Sequence, residues 1–131
     1  MATRVHWEPR HSVGHASLDA QHQAILAHCN ALADCVEGAN DRQFDETFKA
    51  LMALAREHFA AEEALLAQCG YAELDDYRSE HEEFGYLTDE IATTEHFDRQ
   101  ELQTFLSLWW SGHILGSAGS HRACLEQRPA A

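Results

Sequence analysis

From about residue 17 onward the chain repeats one pattern four times: apolar side chains at three- and four-residue steps, with charged residues between them. That is the period of a helix with one buried face. The first run carries Ile25, Leu26, Cys29, Leu32, Ala33 and Val36, with Gly38 as a stop, and predicts a helix over residues 17–36. The second starts at residue 41 or 45, places Phe48, Leu51, Ala55, Leu65 and Cys69 on its stripe, and ends at 68 before Gly70. The third begins near residue 73 and aligns Leu74, Tyr77, His81, Phe84, Thr88 and Ile91. Asp98 and Glu101 have the spacing of a capping box and open the fourth, whose stripe holds Leu102, Leu106, Trp109, His113 and Gly116. The two prolines, Pro9 and Pro129, lie outside all four runs. Four amphipathic helices with short connections predict an all-α, up-down antiparallel four-helix bundle. Residues 1–16 show no period and read as an N-terminal arm of a single domain spanning 1–131.

The buried faces are not uniformly apolar. His22 precedes Ile25 on the first stripe, His58 and Glu62 sit one turn apart on the second, Tyr77 and His81 on the third, and His113 on the fourth. Taken singly, each histidine is an ordinary core residue bonded to a carbonyl, and Tyr77 an ordinary amphipathic core residue. Unpaired, each would cost about 1–3 kcal/mol, so polar groups on four faces at once would consume much of a domain's stability. A shared metal removes that cost for all of them together. Imidazoles with a carboxylate suit iron or zinc, with manganese also compatible. No cysteine is placed to complete a closed zinc site. Five or six nitrogen and oxygen donors exceed one tetrahedral ion and suggest two, with Glu62 bridging. HExxH is absent, and the one Glu-x-x-His spacing, Glu8 to His11, spans Pro9 in the arm.

Composition narrows the partners. Nine basic against twenty-two acidic residues give a net charge of −13, which disfavours nucleic acid and anionic membranes. Ten histidines point to metal or proton chemistry. No run has the length of a membrane span or the apolar core of a leader peptide, so a cytoplasmic protein is expected. Cys29, Cys35, Cys69 and Cys124 lack CxxC spacing and are expected to be reduced thiols.

Trp7, SVGHASLDAQHQAIL, HFAAEEALL followed by GY, EHEEF and LWWSGHI occur in that order from Trp7 to about His121. This series resembles the bacterial hemerythrins. The resemblance implies a four-helix bundle with two non-heme irons, an oxo bridge between them being one option, that bind dioxygen. Carried over by position, His22 and His58 would hold the oxygen-binding iron, Glu62 would bridge, and His81 and His113 would hold the second iron. Two positions depart from the family pattern. Tyr77 stands where a third-helix histidine is expected, and Ala118 stands where the family has a bridging aspartate. Tyr77 is a candidate ligand, its phenolate favouring ferric iron, and His121, one turn beyond Ala118, is a candidate to replace the aspartate. His15 reads as a partly exposed surface histidine. Phe59, Trp109, Leu26 and Ile114 are expected to line the pocket. Three functions follow: a protein that binds or senses dioxygen, an enzyme acting on peroxide, dioxygen or nitric oxide through a tyrosine-ligated iron, or a metal-poor sensory or binding module. A monomer is favoured.

Overall fold

A computed structural model describes residues 2–94 and 96–126; Pro129 falls outside them. Four long helices make up the body: α1 (Ala16–Glu37), α2 (Asp41–Gln68), α3 (Leu74–Thr93) and α4 (Arg99–Ser120). Their bounds follow local chemistry. Asn40 and Asp98 accept from the backbone N–H groups of Gln43 and Glu101, capping α2 and α4. His15 does the same for α1, its Nδ1 accepting from Leu18 N–H at 3.3 Å, so this histidine is half-buried and structural. Gly70, at φ 71°, lets the chain leave α2 in a conformation that other residues resist. The connections are short, and α1 packs on α2 and α4 while α2 packs on α3, giving the expected all-α four-helix bundle. No helix among the described residues is long and apolar enough to cross a membrane.

Three features depart from the sequence reading. The arm is bolted down without any period. Gln103, fully buried on α4, exchanges hydrogen bonds with Thr3 N–H (2.8 Å) and Thr3 C=O (2.6 Å). Asn30 on α1 does the same with Val5 (2.9 and 2.7 Å). Beyond α4 a fifth short helix, α5 (Arg122–Glu126), returns under the bundle. The expectation of four thiols is corrected: Cys69, at the end of α2, forms a disulfide with Cys124 on α5, their Cα atoms 5.6 Å apart. Cys29 and Cys35 remain buried thiols. The bond removes the cysteine argument for a reducing compartment.

The core has two parts. A large apolar cluster runs through Ile25, Leu32, Phe44, Leu51, Phe84, Leu106 and Trp110. A smaller one, Val13, Leu18, Leu66, Tyr77 and Leu125, closes the end that the disulfide ties. Several of the polar stripe positions fall where the two meet. His22 lies between Leu18 and Ile25, Glu62 between Phe59 and Leu66, and His81 between Tyr77 and Phe84, while His113 follows Trp110 and precedes Ala118.

Candidate metal centre

His22, His58 and Glu62 are fully buried, and the side chains of His81 and His113 are 4% and 3% exposed. Four imidazoles converge on one carboxylate, and they divide its oxygens. Oε2 of Glu62 lies 3.5 Å from His22 Nε2 and 3.3 Å from His58 Nε2. Oε1 lies 3.3 Å from His113 Nε2 and 3.8 Å from His81 Nε2, and it accepts the Tyr77 hydroxyl hydrogen. Tyr77 Oη is also 2.9 Å from His113 Nε2 and 3.0 Å from Ser117 Oγ.

The charges are unbalanced in a way that suits a cation. Burial alone would raise the Glu62 carboxyl, but the facing imidazoles of His113, His22 and His58 outweigh it and hold its pKa well below the usual carboxylate range. Burial pushes the imidazoles the other way, lowering His22 and His81 and taking His113 down to about 4. The result is a buried anion with no Lys or Arg paired to it among the described residues. Buried atoms without a hydrogen-bond partner include Glu62 Oε2 and His81 Nε2, both on the inner faces of the cluster. Such a group is expensive unless something positive completes it.

The outer partners agree. Nδ1 of His58 is 2.8 Å from Gln21 Oε1, and Nδ1 of His81 is 2.7 Å from Glu63 Oε2, which a contact from Arg78 to Oε1 steadies at 3.2 Å. Each acceptor oxygen fixes the proton on Nδ1 and leaves Nε2 bare, the tautomer that a metal requires. His22 Nε2 and His58 Nε2 stand 2.9 Å apart; two nitrogens bound to one ion at right angles would stand about 3.0 Å apart. His22, His58, Glu62 and His113 offer ligand atoms all within 4.8 Å of one another, a group that could hold a metal ion. The residues present fit the group that the sequence implies.

Aromatic rings wall the cluster. Phe59 stacks on His81 at 3.8 Å and Trp109 on His113 at 4.9 Å. Trp110, fully buried, meets His58 edge-on at 5.9 Å; the sequence stripe had pointed to its neighbour. Leu26 and Ile114 belong to the large apolar cluster. Ala118, which presents no ligating atom, packs against the smaller cluster. His121 caps α4, is 1% exposed, and meets the Tyr77 ring edge to face at 4.4 Å; like His81, it lies outside the compact ligand group. Sequence reasoning missed Gln21, Glu63 and Ser117. Their only signal is adjacency: Gln21 and Glu63 each neighbour a stripe residue and reach across to the next helix.

Fold and site together define a helical bundle with a buried histidine–carboxylate site for a cation. Residues 13–117 match the family model of the hemerythrin HHE cation binding domain. A hemerythrin-like protein of Naegleria gruberi is 30% identical over 129 residues, covering 95% of this chain and 100% of its own length. A bacteriohemerythrin of Ralstonia nicotianae is 28% identical over 114 residues, covering 84% of this chain and 80% of that protein. One of Pseudomonas paraeruginosa is 28% identical over 111 residues, covering 82% and 72%. The chain belongs to the hemerythrin family.

Proposed function

We propose that this chain is a non-heme iron protein that holds two irons and binds dioxygen or another diatomic or peroxide ligand. The division of Glu62 carries the reading: one carboxylate oxygen attends His22 and His58, the other His81, His113 and Tyr77. Under it, His22 and His58 hold one iron, His81, His113 and Tyr77 the other, and Glu62 spans them. Bound iron supplies the redox change and an open position for the small ligand. The chain supplies orientation and dryness. Gln21 and Glu63 set the imidazole tautomers. Phe59, Trp109 and Trp110 keep water from the ligands. His121 is read as packing behind the Tyr77 ring rather than as a ligand.

Tyr77 favours a second reading, in which the same centre turns over peroxide, dioxygen or nitric oxide. A phenolic oxygen stabilises the oxidised state of iron and works against reversible oxygenation. Metal analysis per chain, with optical spectra taken anaerobically and in air, separates the possibilities. Two irons per chain and a band that comes and goes with oxygen are expected. One iron per chain overturns the two-iron assignment, and a spectrum indifferent to oxygen overturns oxygen binding. Catalytic loss of added peroxide would establish the enzyme instead.

A further inference from the structure

Side chains rather than close backbones join the α3–α4 seam: Phe84 meets Trp109 at 4.1 Å and Tyr77 stacks on His113 at 5.4 Å. Between the two helices lies a cavity of about 690 Å³, within the size range of small-molecule sites. Its α4 wall is bare by sequence. Gly112 and Gly116 line it one turn apart, and a Cβ built on either meets no atom within 4 Å. Its α3 rim is acidic: Asp76, Glu80 and Glu83 are exposed, and none has a cationic partner among the described residues. Trp109, Phe84 and Leu108 make the body apolar. At the inner end lies His121, whose ring is buried and whose Nδ1 has no hydrogen-bond partner. A buried imidazole left unsatisfied beside a cavity calls for a polar group delivered from that cavity.

We propose that this cavity is a binding site for a small aromatic amine, its ammonium held at the acidic α3 rim, its ring in the apolar body of the groove and a polar end toward His121. Charge chooses the class. Three uncompensated carboxylates on a chain of net charge −13 repel anions and attract cations. The aromatic wall adds attraction for a cation and for a flat ring. The site stands beside the metal centre, sharing Tyr77 and His113 as part of its wall, but the inference does not depend on which metal, or how many, the centre holds.

Three probes of one shape and different charge test it on the full-length protein as purified: tyramine, neutral 4-ethylphenol and anionic 4-hydroxyphenylacetate, followed by calorimetry and ligand-observed NMR. Tyramine is expected to bind most tightly and to weaken with added salt, ethylphenol less tightly, and hydroxyphenylacetate not detectably. Glu80→Gln with Glu83→Gln should weaken tyramine, by up to about fivefold for each carboxylate removed, and leave ethylphenol unchanged. Gly116→Leu fills the groove from a position with room for the side chain, so it should abolish binding of both while melting temperature and metal content persist. Equal binding of the anion, absence of tyramine binding, or tyramine binding that survives Gly116→Leu would each overturn the proposal. None of the mutated positions is a proposed metal ligand, so metal content reads the iron assignment separately.

Discussion

Tyr77 donates its phenolic hydrogen to Oε1 of Glu62, the carboxylate on which all four imidazoles of the centre converge. The phenol is not a bystander at the edge of the site. Burial, and then the Glu62 charge, push its pKa above the ordinary tyrosine value, so without a metal it stays a donor. A metal at that corner would have to replace the proton, which makes this hydroxyl the switch between a hydrogen-bonded and a ligated state.

Tyr77→Phe therefore has two expected outcomes. In metal-free protein it deprives Glu62, His113 and Ser117 of a shared partner, at a cost of about 1–3 kcal/mol, readable by denaturant titration. In iron-loaded protein the visible tyrosinate band expected from direct ligation disappears. A band that persists in the variant would assign Tyr77 to hydrogen bonding alone.

His58→Ala and Glu62→Ala should lower metal content and thermal stability together. Both side chains are fully buried, and a bound cation is what offsets that burial, so metal affinity adds directly to folding stability. Calorimetric melts of metal-loaded and metal-stripped wild type check the premise. Identical melting temperatures would refute the coupling.

The parts of this molecule that were legible in advance are those governed by period. His22, His58, Glu62, Tyr77, His81 and His113 stand out because each falls on an apolar stripe, where a polar residue demands an explanation. Trp109 and Trp110 both wall the site, because a step of 100° per residue lets adjacent positions share a wide stripe's edge. Gln21 and Glu63 were invisible for a related reason. A residue beside the stripe finds its partner on a neighbouring helix, and only the packed bundle says which partner. The Cys69–Cys124 bond joins residues 55 apart, with no local spacing to announce it. The arm's attachment rests on single amide side chains, Asn30 and Gln103, which carry no pattern at all.

Thiol chemistry should sort the four cysteines. Burial drives the Cys29 thiol up to about 12, Ser107 offsetting only part of the shift. Its thiolate is thus negligible at pH 8, and Cys29 should resist alkylation until the protein unfolds. Reduction should release Cys69 and Cys124 and remove a constraint worth about 4 kcal/mol for a loop of 55 residues. Mass-resolved alkylation with and without reductant, followed by melts, reads both. Labelling of Cys29 in native protein at pH 8, or a melting temperature indifferent to reduction, would contradict this assignment.

Ala118 offers the sharpest test of the expectation that a bridging carboxylate belongs at this position. Five residues beyond His113 on α4, it is half-buried against the cluster of Leu18, Leu66 and Tyr77. A carboxylate placed there has two fates. Without metal it is an anion beside apolar side chains and close to Glu62, and it should destabilise the fold. With metal it gains a cation to neutralise it and should tighten binding. Ala118→Asp is therefore expected to move the two melting temperatures in opposite directions, down for stripped protein and up for iron-loaded protein, with a spectral shift toward a bridged pair. His121→Ala is the companion variant. If His121 ligates in place of the aspartate, its removal should cost one metal per chain and Ala118→Asp should gain little. If His121 only walls the cavity behind Tyr77, metal content should survive its loss. A parallel fall of both melting temperatures in Ala118→Asp would place position 118 outside the centre.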